Sequence, residues 1–174
     1  MNKTILLFLL FLLVVFLPQG AIGQCKIINN SFKDGENITY DLYFNYGIVT
    51  AKAGTGSLKT NLVNYKGNSA FNIRMLLNTS GLAGSVYTVN DTLVSYMDMN
   101  LRPLLFTKNA FEGKDYSREV QSFSYVENEI KVRTNRVFNG KKKFEETITT
   151  HECAYDYLSV LALIRNLDYT DMEP

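Results

Sequence analysis

Residues 155–167 read Tyr155-Asp156-Tyr157-Leu158-Ser159-Val160-Leu161-Ala162-Leu163-Ile164-Arg165-Asn166-Leu167, and this stretch decides the fold. Asp156 suits an N-cap, where its carboxylate accepts hydrogen bonds from the free amides of a first helical turn. Apolar groups then surround nearly the whole circumference, with only Ser159, Arg165 and Asn166 polar. A helix of that kind needs cover on most sides. At about 25 cal/mol per Å² of apolar surface, leaving several of its side chains wet costs several kcal/mol. A flat sheet covers one side of a helix and a strongly curved one covers more, so the stretch predicts a bent sheet clasping the helix. A partner protein or further chain over the helix are the alternatives.

Upstream, the chain reads as strands. Ile38, Tyr40, Leu42, Phe44 and Tyr46 fall on every second position, the period of a half-buried strand. A second run passes through Ala53, Gly54 and Gly56 toward Leu62, where small residues signal a bend or a close backbone approach. After a turn at Tyr65-Lys66-Gly67-Asn68, Phe71, Ile73, Met75 and Leu77 alternate in the same way. Thr79 to Ser85 reads as a loop or one short helical turn. Strands are then predicted at Thr92 to Met99, Arg102 to Phe111, Tyr116 to Val126, Ile130 to Phe138 and Lys143 to Thr150. Asn139-Gly140 is the sharpest connection, because both positions of a type I′ turn need positive φ. Short connections force antiparallel neighbours. The fold expected is mainly β: a curved antiparallel meander, a half-barrel, around one C-terminal α-helix. Lys141 to Lys143 read as a solvated hairpin tip.

At the other end, Lys3 precedes 13 unbroken apolar residues, Ile5 to Leu17, and then Pro18 and Gly20. That is a signal-peptide pattern, well short of the roughly 20 residues that span a bilayer. Residues 1–23 are therefore expected to be removed by cleavage after Gly23. Residues 24–174 then form one β-rich domain, exported to the periplasm or associated with the outer membrane. Lipidation of Cys25 ranks below plain secretion, because Gln24 stands where a lipoprotein site has a small residue. No other segment reads as a transmembrane span. Without Lys3 the 18 basic residues fall to 17, against 17 acidic ones. A neutral chain lacks the surplus of Lys and Arg that nucleic-acid binding uses, which excludes that class.

Few motifs carry chemistry. Cys25 and Cys153, the two cysteines, are expected to pair in an oxidising compartment. His151 stands two residues from Cys153, yet one imidazole and two thiols fall short of a metal site, and an oxidised cysteine is no nucleophile. No nucleophile elbow, P-loop or dinucleotide fingerprint occurs, so no enzyme activity and no cofactor are expected. Asn29, Asn37, Asn78 and Asn90 begin Asn-x-Ser/Thr triplets that an Asn-rich chain produces by chance. Asp91-Thr92-Leu93 resembles an O-glycosylation signal at Thr92, and a turn acid before a strand explains it equally well.

Several segments together carry a family resemblance: Ile38-Thr39-Tyr40-Asp41-Leu42-Tyr43-Phe44 with Ala51-Lys52-Ala53-Gly54-Thr55-Gly56, Asp91-Thr92-Leu93 with Ser95-Tyr96, Glu112-Gly113-Lys114, and Cys153-Ala154-Tyr155-Asp156-Tyr157-Leu158-Ser159. They resemble the domain of unknown function 3108 family. The resemblance implies an exported, mostly β protein of Gram-negative bacteria with no assigned catalytic residues. It also implies a longer domain continuing past the helix, so that residues 24–174 would be its N-terminal part.

The function expected is the binding of a lipid or other hydrophobic ligand in a groove between sheet and helix, in a shape similar to the lipoprotein carriers of the periplasm. Tyr40, Leu42, Phe44 and Tyr46 of the first strand, Phe71 and Ile73 of the third, and Leu158 and Leu161 of the helix are the expected lining of that groove or of the core. An alternative is a structural or interaction module whose free sheet edge pairs with an envelope partner. A glycan hydrolase ranks last, since it would need two carboxylates converging in one cleft.

Overall fold

The computed structural model of the chain describes Cys25 and residues 27–167. The signal segment, its cleavage point and residues 168–174 lie outside the described residues. The alternating patterns form eight strands: β1 Glu36–Tyr46, β2 Val49–Tyr65, β3 Asn68–Thr79, β4 Val89–Met97, β5 Pro103–Glu112, β6 Asp115–Val126, β7 Glu129–Phe138 and β8 Lys141–Thr150. Five of the seven connections hold two residues, too short for any return but an antiparallel one. The strands therefore lie in chain order from β1 to β8, each antiparallel to the next, and the sheet is an open meander with β1 and β8 at its edges. Asn139 and Gly140 have φ of 46° and 75°, the positive pair that their turn demands. A short helix, α1 (Gly81–Val86), joins β3 to β4, and α2 (Tyr157–Arg165) follows β8.

Strand β4 starts and stops earlier than its pattern predicts. Thr79 Oγ1 accepts from Val89 N at 2.8 Å, which draws the chain back into the sheet three residues before Thr92. At the far end Asp98 Oδ1 accepts from Asn100 N and Arg102 N at 2.8 and 3.0 Å and turns the chain after Met97. Asp91 is thereby a strand residue and not a turn acid.

The small residues of β2 mark a close approach, as their composition indicates. A Cβ on Gly54 would stand 2.1 Å from the Asn78 carbonyl oxygen and 2.9 Å from Thr79 Cα. These atoms are all backbone of β3, with no flexible group to yield, so Gly54→Ala is expected to destabilise by about 2 kcal/mol, the range of overpacking and displaced ladder bonds. Urea unfolding with unchanged slope and a lower midpoint checks it.

Register places the core on one face. Thr60, Ile73, Ser95 and Phe106 form one cross-strand row, and Leu58, Met75 and Leu93 the next. Leu158 and Ala162 of α2 pack onto these rows together with Phe71, Met97, Leu101, Phe123 and Phe32. The helix crosses the strands: its first turn meets Ser95 of β4 and its last meets Glu36 of β1. Its nine residues span about 13 Å, close to the roughly 14 Å that three interstrand spacings cover.

One expectation requires correction here. The helix is not surrounded: Leu158, Ser159 and Ala162 are buried, but Tyr157 is 65 % exposed, and Val160, Ile164 and Leu167 are exposed with it. A single sheet face touches a single helix face, and no strand of the meander passes over the other side.

Candidate functional site

The start of α2 is the most tightly determined part of the molecule. Asp156 Oδ1 accepts from Leu158 N and Ser159 N at 2.8 and 2.9 Å, and Asp156 N donates to Ser159 Oγ at 2.7 Å, which completes a reciprocal cap. Ser95 Oγ on β4 donates to Asp156 Oδ2 at 2.7 Å, so the cap also docks the helix on the sheet. Burial pushes the Asp156 carboxyl above its usual range, against the pull of these donors. Beside it the Tyr157 ring lies 5.6 Å from that of Phe106, and Ala154 joins the core. The segments Asp91–Tyr96 and Cys153–Ser159, far apart in the chain, thus meet at one joint.

An N-terminal strap holds the other end of the helix. Cys25 is bonded to Cys153 across 128 positions, with the Cα atoms 5.3 Å apart. Ile27 N donates to Asn100 O, Asn166 Oδ1 accepts from Asn30 N and Ser31 N, and Ser31 Oγ donates to the Arg165 carbonyl. Phe32 is buried beneath the Arg165 guanidinium, which lies 4.2 Å from its ring. Arg165 donates through both terminal nitrogens to Glu36, at 2.9 and 2.8 Å. That fork holds the Glu36 carboxyl below its usual range. A carboxyl with a lowered folded pKa contributes stability above its ordinary value and loses it as pH falls. Glu36→Gln is therefore expected to cost about 1 kcal/mol at neutral pH, in keeping with a partly buried bidentate pair. Chemical denaturation as a function of pH should show the difference from wild type shrinking toward zero in acid.

The expected groove residues separate into two groups. Phe71, Ile73 and Leu158 are core, and Leu161 packs against it. Tyr40, Leu42 and Phe44 are exposed instead of enclosed, Tyr40 by 51 %. They lie on an edge strand beyond the reach of the helix, which ends at Glu36. The side chain of Tyr46 lies outside the described residues. Thr92 sits half-buried within β4, on the face opposite the core.

A charged row on the core-bearing face escapes any reading of sequence periodicity. Leu93, Lys108, Glu119 and Arg136 are successive cross-strand partners on β4 to β7, with Phe144 of β8 next. Lys108 Nζ stands 3.7 Å from Glu112, Arg136 Nε 4.0 Å from Glu119, and Gln121 donates to Glu119 at 2.8 Å. This row is charged beyond the helix and ends at a shallow cleft of about 370 Å³ lined by Arg136, Phe138, Lys143 and Phe144. Mixed strands such as Thr107-Lys108-Asn109 carry no clear alternation, which is why the pattern is silent there.

Among the described residues no group of three or more His, Cys, Asp or Glu is placed to hold a metal ion, and no helix is long and apolar enough to cross a membrane. His151 Nδ1 lies 3.2 Å from Asn128 O on the surface, and the Cys153 sulfur is bonded to Cys25. The class is thus an open antiparallel meander with one helix pinned across it by a buried cap and a disulfide-tied strap. The chain belongs to the family described as protein of unknown function (DUF3108), which matches residues 39–171. No curated protein and no solved structure matches it.

Proposed function

We propose that this is an exported cell-envelope protein without enzymatic activity, periplasmic or outer-membrane-associated, that binds a lipid or other hydrophobic ligand beside its helix. The observation that carries this reading is the apolar surface left uncovered there. Tyr157, Val160 and Ile164 of α2, Leu167 just past its end, Tyr40, Leu42 and Phe44 of β1, and Leu62 of β2 are exposed. Tyr157, Val160 and Ile164 share one face of the helix by their spacing, and an exposed apolar stripe of this kind marks ligand or partner contact. The signal-like N-terminus and the Cys25–Cys153 pair support an oxidising, extracytoplasmic location. The test is native mass spectrometry of the full chain purified from an envelope fraction, followed by lipid extraction. Co-purifying lipid is expected, and repeated recovery of empty protein would count against the reading.

A second reading, an interaction module, has its own observation. Among the described residues both edge strands lack a strand partner on their outer side, and β8 is exposed at every position from Lys141 to Thr149. A free edge is a template for strand addition. Crosslinking that captures one envelope protein through β8 would favour it, and loss of that capture on placing proline in β8 would locate the contact.

A further inference from the structure

Asp91 on β4 is 6 % exposed, and its Oδ1 is buried without any hydrogen-bond donor. An unpaired buried acceptor costs about 1–3 kcal/mol, and more when charged, so such an atom points to a missing partner. Burial holds the carboxyl above its usual range; Lys108 pulls it down, Glu112 pushes it up, and a backbone N–H of Phe111 also pulls it down, so that the missing donor concerns Oδ1 alone.

The register defines what surrounds it. Asp91 pairs with Ala110 on one side and Leu77 on the other; Leu77 pairs with Gly56, and Gly56 with Tyr40. Lys108 and Glu112 of β5 flank this row, opposite Leu93 and Val89. Lys108 Nζ stands 3.7 Å from Glu112, at the outer limit of an ion pair. Two carboxylates against one ammonium leave one negative charge uncompensated. From Asp91 the row runs over half-buried Leu77, whose side chain leans over Gly56, to exposed Tyr40, about 14 Å in three interstrand spacings. A charged end and an apolar run therefore lie in one line.

Resting on the hydrophobic-ligand reading above, we infer that the ligand is an amphiphile with a single cationic, hydrogen-donating head. The tail lies along Leu77, Gly56 and Tyr40, and the ammonium donates to Asp91 Oδ1 as Lys108 moves aside. One positive charge neutralises the cluster and supplies the missing donor together. A fatty-acid carboxylate would meet two like charges and supply no donor.

The test is calorimetric titration of the full chain with decylamine, decanol and decanoate, each below its micellar concentration. A charge-assisted hydrogen bond in a desolvated site predicts that decylamine binds about tenfold tighter than decanol, with decanoate the weakest. Asp91→Asn is expected to remove the preference for the amine over the alcohol. Lys108→Met, which removes the competing ammonium, is expected to strengthen decylamine binding by about tenfold. Equal affinity for amine and alcohol, or an amine preference that survives Asp91→Asn with Lys108→Met without effect, overturns the head-group assignment and leaves the hydrophobic-ligand reading standing. Failure of all three probes to bind removes both.

Discussion

Replacing Cys25 and Cys153 together by serine is expected to lower the melting temperature by roughly 10–20 °C, the conversion for about 5 kcal/mol in a domain of this size. The loop closed by the bond spans 128 positions, for which the chain-entropy relation gives about 5 kcal/mol of stabilisation. The effect should be local as well as global. Without the bond, the strap around Phe32 and the helix it overlies depend on Asn166, Ser31 and the Arg165–Glu36 fork. Amide exchange should rise first in residues 27–36 and at the end of α2. Thermal melts of wild type with and without reductant, beside the double variant, check it. A shift under about 3 °C, less than 2 kcal/mol on the same conversion, would mean that the polar contacts alone hold the strap.

Asp156→Ala is expected to cost about 3 kcal/mol, combining a lost N-cap with the desolvated Ser95 hydroxyl it leaves unpaired. Asp156→Asn separates geometry from charge. Its amide oxygen still accepts from Leu158 and Ser159, and the Ser95 hydroxyl, which accepts as well as donates, meets the amide nitrogen. The cost expected for this variant is under about 1 kcal/mol. The two also differ in pH dependence. Because the folded pKa of Asp156 is raised, its contribution is fully present below the ordinary carboxylate value and is lost as pH rises through the folded one. Glu36 acts in the opposite sense, through a lowered pKa. Denaturation of Asp156→Asn at several pH values should therefore show the downward slope of stability removed and the Glu36 slope retained. An unchanged profile would mean that Asp156 titrates alike in both states.

Much of this architecture is legible from residue order alone. Period-two alternation from Ile38 to Tyr46 and from Phe71 to Leu77 marks β1 and β3, and Asn139-Gly140 marks the β7–β8 turn, because such signals depend on backbone sterics within a few residues. The cap at Asp156 and the cysteine pair are legible for the same reason, as local geometry and counting. Burial of the helix is not legible in this way. Tyr157, Val160 and Ile164 look like core residues in the sequence, yet a residue's neighbours depend on which strands pass over it.

By itself the sequence determined the strand order, the antiparallel pairing, the helix and its cap, since two-residue links and period two leave few other arrangements. Only the tertiary structure decided that the helix lies across β1 to β4 with Tyr157 reaching Phe106 of β5, that Ser95 meets Asp156, and that Asp91, Lys108 and Glu112 share a face with Leu77 and Tyr40. Those facts depend on cross-strand register and on the length of one short helix. Register and reach are sums over distant parts of the chain, and no local window contains them.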